Sequence, residues 1–131
     1  MANRNFNRLQ ALSKELKVLA CRVKVVGAAD PADNAVTFDS ADHVGFTSVA
    51  RSAAGEYTLT LDDKYTDLYF ADVKPAAATP IDSVCQIDNW DVASAKTVVF
   101  NDLAAATPID VANGVTRYFF VQLVLKNSSS R

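Results

Sequence analysis

The sequence predicts a mainly β protein, an antiparallel β-sandwich or jelly-roll-like domain of about eight strands with a short N-terminal helix or arm. Three observations carry this expectation. Short segments rich in β-branched and aromatic residues recur along the chain between turn-forming residues. Several alternate strictly, as in Glu56–Leu61, where Tyr57, Leu59 and Leu61 fall on one face and Glu56, Thr58 and Thr60 on the other. A helical spacing of apolar residues occurs only near the start.

That first segment places Leu9, Leu12, Leu16 and Leu19 at steps of three, four and three, loosely continued by Val23, with Asn5 or Asn7 as a cap. The seam spans about two heptads, too short for a stable coiled coil alone. Such a helix needs a partner: its own β body, an underlying assembly, or sister helices around an axis. From Leu19 the period changes to two, with Leu19, Cys21, Val23 and Val25 alternating with Ala20, Arg22 and Lys24. Residues 1–26 therefore read as arm and first strand, and residues 27–131 as the sandwich body of one domain.

Gly27–Asn34 is a loop by composition. Further strands are expected at Ala35–Phe38, Val44–Arg51, Glu56–Leu61, Asp67–Val73, Ser83–Asp88, Lys96–Phe100 and Val115–Lys126, with a hairpin loop at Ser52–Gly55. The last is the longest and almost continuously apolar, which predicts a central strand or one covered by both the core and a neighbouring subunit. The heptapeptide Ala-Ala-Ala-Thr-Pro-Ile-Asp occurs twice, at Ala76–Asp82 and Ala104–Asp110. Pro80 and Pro108 fit loop or edge positions, so the repeat predicts two similar connections at one end of the sandwich.

Composition narrows the function classes. The chain has 131 residues, 50% hydrophobic and 21% charged, which suits a single folded core and not a disordered chain. No apolar run approaches the roughly 18 residues of a membrane helix. Met1–Asn7 is polar and lacks the apolar core of a secretory signal, so a soluble protein made in a cytoplasm is expected. Cys21 and Cys85 have neither CxxC partners nor nearby histidine and read as small buried hydrophobes; a disulfide between them has no support. Residues 1–26 hold six basic side chains against Glu15 alone, whereas the remainder holds seven bases and fourteen acids. A basic arm on an acidic body fits docking to an acidic surface or head-to-tail contact between copies; a solvated basic helix face fits equally well.

The chain offers little for catalysis. His43 is the single histidine, beside Asp42 at a loop-to-strand boundary, with no Ser–His–Asp or Cys–His pattern around it. Adjacent Asp62 and Asp63 would point to opposite faces of a strand, and Asp88 and Asp91 read as turn aspartates. No calcium loop, Walker A loop or GxGxxG occurs. No catalytic residue, cofactor or metal is therefore expected. Tyr57, Tyr65, Tyr69, Phe70, Tyr118, Phe119 and Phe120 read as core or subunit-contact residues. Trp90 reads either as an exposed interface anchor in a turn or as a ring folded over the sandwich end.

Three stretches together resemble small structural proteins of tailed bacteriophages: the opening Met1–Leu12 (MANRNFNRLQAL), Val44–Asp63 (VGFTSVARSAAGEYTLTLDD) followed by Lys64 and Tyr65, and the close Phe120–Ser129 (FVQLVLKNSS). The resemblance implies an oligomeric, often trimeric β domain carried on the virion, either a capsid decoration (cement) protein on the outer surface of the head or part of a tail fibre or receptor-binding head. A small carbohydrate-binding or carbohydrate-active sandwich is a further alternative. On the decoration reading the partners are other copies of the chain and the major capsid protein, with neither membrane nor nucleic acid as the main partner. The expected contact residues are Arg4, Phe6, Arg8, Leu9, Leu12, Leu16, Trp90, Tyr118 and Phe120.

Overall fold

The computed structural model describes residues 16–39, 41, 43–79 and 81–126. The strands are β1 (Leu16–Val26), β2 (Ala35–Phe38), β3 (Phe46–Ala53), β4 (Glu56–Leu61), β5 (Asp67–Ala76), β6 (Val84–Asp91), β7 (Thr97–Ala104), β8 (Thr107–Pro108) and β9 (Thr116–Lys126), with one short 3-10 turn at Pro31–Asp33. They form two antiparallel sheets. One has the order β2-β1-β9-β5; the other has β3-β4-β7-β6, with β8 added to β7. Their inner faces make the core of a β-sandwich.

Period-two alternation decides which side chains enter that core. On β4, Tyr57, Leu59 and Leu61 are fully buried; on β9, Phe119, Val121, Leu123 and Leu125 are buried between outward-facing neighbours. β9 is central, paired with β1 on one side and β5 on the other. Tyr57, Phe100 and Phe119 form an aromatic trio at the middle, with ring centres 5.4–5.5 Å apart.

The expected helix does not extend to Leu19. Leu16 and Leu19 lie on β1, which pairs with β9 over all eleven of its residues. A ladder of that length outweighs a local three-residue spacing of leucines. In a strand the same spacing puts the two on opposite faces, so Leu19 is buried and Leu16 sits half-buried at the rim. Leu9 and Leu12 lie outside the described residues, as do Arg4, Phe6 and Arg8. Trp90, Asp88 and Asp91 belong to β6, not to a turn, although Asp91 does accept a hydrogen bond from the Ser94 N–H in the turn that follows. β8 was not expected: it is two residues long and contains Pro108.

The registers sort the connections onto two poles. Val26 faces Thr116, Ala76 faces Tyr118, Val84 faces Leu103 and Glu56 faces Asn101. The β1–β2 loop, the β3–β4 hairpin and both copies of the heptapeptide therefore share one pole. At the other, Leu16 faces Lys126, which also faces Asp67, so residues 1–15 and 127–131 attach side by side. The two heptapeptides run between the sheets in opposite senses, one from β5 to β6 and one from β7 to β9.

Close backbone contact locks the loop pole. Gly55 has φ +64°, and a Cβ there would fall 2.5 Å from the Ile109 nitrogen. The Gly55 N–H donates to Asp110 and its carbonyl accepts from the Asp102 N–H. The β3–β4 hairpin is thus pinned beneath the second heptapeptide.

Candidate functional site

Two features of the described residues lie outside simple core packing: a polar cluster at the loop pole, and the exposed apolar and aromatic side chains of the β2-β1-β9-β5 sheet.

The polar cluster grows from inward positions on β7 and β9. Asp102 is fully buried and accepts from Arg117 Nη1 at 2.6 Å and from the Ser83 hydroxyl. Nearer the surface, Arg51 on β3 makes a two-pronged pair with Asp110, from Nε at 2.8 Å and from Nη2 at 3.0 Å. The hydrogen bonds from Arg51 and the Gly55 N–H hold the Asp110 carboxyl below its ordinary range, against a smaller opposing effect of burial. Burial, reinforced by the charges of Asp102 and Asp110, raises the Tyr57 phenol. The Tyr57 hydroxyl has no protein hydrogen-bond partner among the described residues. Both carboxylates are thus engaged by arginine, and the cluster ties three strands (β3, β7 and β9) to three connections, at Gly55, Ser83 and Asp110.

The thiols are enclosed too, Cys21 in the core and Cys85 partly buried against it. Cys21 on β1 and Cys85 on β6 are free cysteines in different sheets, each pushed up to about 12 by burial. His43 is stacked on Phe38, ring centres 4.4 Å apart and nearly parallel. Among the described residues no group of three His, Cys, Asp or Glu is placed to hold a metal ion, and no helix is long and apolar enough to cross a membrane.

The outer sheet face is different. β-strand register puts Phe70, Val124 and Val18 in one row across β5, β9 and β1. Phe70 and Val18 are more than half exposed, at 53% and 58%. The row continues around the sandwich edge, where Phe70, Tyr69 and Trp90 line one depression with Leu68, Ala71 and Ile87. Trp90 is 50% exposed. This band begins one strand-step from Leu16, where residues 1–15 attach.

A β-bulge explains part of the band. The β5–β9 register shifts between Leu68 and Phe70, so Tyr69 is an extra residue and both adjacent rings face solvent. Regular alternation would have buried one of them.

Of the expected contact residues, Leu16, Trp90, Tyr118 and Phe120 lie within the described residues. Tyr118 and Phe120 share the outer face of β9; Trp90 is at the sheet edge and Leu16 at the terminal pole. The expected contact residues lack Val18, Phe70 and Val124, although Phe70 is among the aromatics read as core or subunit contacts. Val18 was within reach, because period two carried back from Ala20 puts it on the polar face of β1. For Phe70 the choice between core and contact was not readable, because the bulge that turns it to solvent leaves no mark in the composition of β5.

No family model, curated protein or solved structure matches this chain. The functional reading therefore rests on the residues and their geometry.

Proposed function

We propose that this chain is a virion structural protein, a capsid decoration protein that binds the assembled head shell and stabilises it. The observation that carries the reading is the exposed apolar band Val18–Val124–Phe70–Trp90 beside the attachment point of a basic N-terminal segment. Contiguous exposed apolar surface marks a place where protein covers protein. Covering the half-exposed Phe70 or Trp90 contributes about 1 kcal/mol each at the usual gain for buried apolar area. That is weak for one copy. A shell that presents the same site many times, to a protein that itself forms oligomers, multiplies it by avidity. Binding only to the assembled state shifts the equilibrium toward that state.

The phage setting rests on the resemblance of the opening, the Val44–Asp63 stretch and the close. Purified protein added to shells stripped of decoration should restore occupancy to a copy number comparable with that of the major shell protein. Phe70→Ser combined with Val18→Ser should reduce that occupancy, and deletion of residues 1–15, which spares β1, should reduce it further. Full occupancy by both variants would refute the band and the arm as the foot. Failure of the intact chain to add at all would refute the head-surface reading.

A further inference from the structure

We propose that the part of the same sheet face nearer the loop pole is a binding site for a neutral oligosaccharide or polysaccharide. Tyr118 and Phe120 project from the outer face of β9. β1 sets Arg22 opposite Phe120 and Lys24 opposite Tyr118, while β5 sets Lys74 on the other flank of Phe120. Phe120 and Arg22 form a ridge shared by two shallow depressions. One, of 420 Å³, contains Ala20, Gln122, Asp72 and Lys74; the other, of 360 Å³, is bounded by Asp39 and Tyr118.

The groups on this ridge are held in place. Arg22 Nε lies 2.6 Å from Asp39 Oδ2, an ion pair without hydrogen-bond alignment. The guanidinium carbon is 6.0 Å from both the Tyr118 and Phe120 ring centres. Lys74 Nζ is 3.5 Å from Asp72. Phe120 is 47% exposed, a large apolar ring left in water between two cations.

The mixture of groups selects the ligand class. A pyranose has an apolar C–H face that packs on an aromatic ring, and a rim of hydroxyls that each donate and accept. The first depression supplies the Phe120 ring, Arg22 and Lys74 as donors, Asp72 as acceptor and Gln122 able to do both; the second supplies the Tyr118 and Phe120 rings, Arg22 as donor and Asp39 as acceptor. A phosphate backbone would meet Asp39 and Asp72 together with the cations, which weakens the electrostatic gain that dominates nucleic-acid binding. An apolar protein surface would have to bury two ion pairs. Sugar hydroxyls leave both pairs intact and replace the water around them. The proposal does not depend on the shell-docking reading, because the apolar band lies at the other end of the face.

The intact chain is applied to an array of neutral and acidic glycans, and its best neutral ligand is titrated beside a single-stranded thymidine oligonucleotide. Binding of a neutral glycan is expected, weakened about tenfold or more by Phe120→Ala and by Asp72→Asn, and unchanged by Trp90→Ala. Asp72 is surface-exposed, so its variant separates lost recognition from lost folding, and its shell occupancy should stay at the level of the unaltered chain. Silence of every neutral glycan, preference for the oligonucleotide, or undiminished binding by both variants would overturn the proposal.

Discussion

The buried pair Asp102–Arg117 gives the sharpest quantitative test of how this sandwich is held. Asp102 has no exposure, the Arg117 side chain is 10% exposed, and they meet at 2.6 Å. Asp102→Ala removes the anion and leaves a guanidinium inside the core with Nε already unpartnered. Breaking one side of a buried pair costs about 3–5 kcal/mol, because the remaining charge keeps its desolvation penalty. Against a total stability of about 5–15 kcal/mol for a domain, that is a large share. At a urea dependence of about 2 kcal/mol per molar, the unfolding midpoint should fall by about 1.5–2.5 M. The double variant Asp102→Leu, Arg117→Met removes both charges and should lie within about 1 kcal/mol of the unaltered protein. Equilibrium urea unfolding followed by circular dichroism measures all three. A single variant that loses under about 1 kcal/mol, or a double variant that loses as much as the single changes combined, would refute the reasoning.

Three further outcomes are expected. Ala105 and Ala106 join β7 to β8 at φ +49° and +68°, the two-residue turn that favours Asn-Gly, so Ala105→Asn with Ala106→Gly should raise stability by about 1–2 kcal/mol in the same assay. Asp110 titrates below its ordinary 3.8 in the folded state; its stabilising share is therefore present above that value and lost as pH falls through the lower folded one. The stability gap between the protein and Arg51→Met should be full near neutrality and close in acid below 3.8; a gap independent of pH would contradict the pairing. Cys21 and Cys85, with thiols pushed up to about 12, should resist alkylation at pH 8 and react fully in denaturant; rapid native labelling would show that the sandwich opens at β1 or β6.

Much of the fold was legible because period two is a local signal. The strands at Ala35–Phe38 and Glu56–Leu61 match their expected bounds, and the central place of Thr116–Lys126 follows from its apolar density. Over Leu16–Leu19 strand replaces the predicted helix, because a short leucine spacing carries less free energy than an eleven-residue ladder with a strand about a hundred residues away; Leu9 and Leu12 lie outside the described residues. The candidate surface was less legible. Tyr118 and Phe120 could be chosen by residue type, but their company of Arg22, Asp72 and Lys74 comes from β1 and β5, and Asp39 from the residue after β2, through registers that no local pattern records.

The two heptapeptides mark the boundary between these kinds of information. By itself the sequence determined that Ala76–Asp82 and Ala104–Asp110 are unsuited to the interior of a sheet, since proline removes a backbone donor and fixes φ. It could not distinguish the copies, which are identical. Tertiary structure did: Ala105 and Ala106 turn left-handed into β8, whereas Ala77 and Ala78 do not, and Asp110 is held by Arg51 and the Gly55 N–H. The reason is that the β3–β4 hairpin offers those partners to the second copy alone. Contacts made across the sandwich outweigh the cost of a left-handed alanine, about 1–2 kcal/mol per residue, that no local preference would accept.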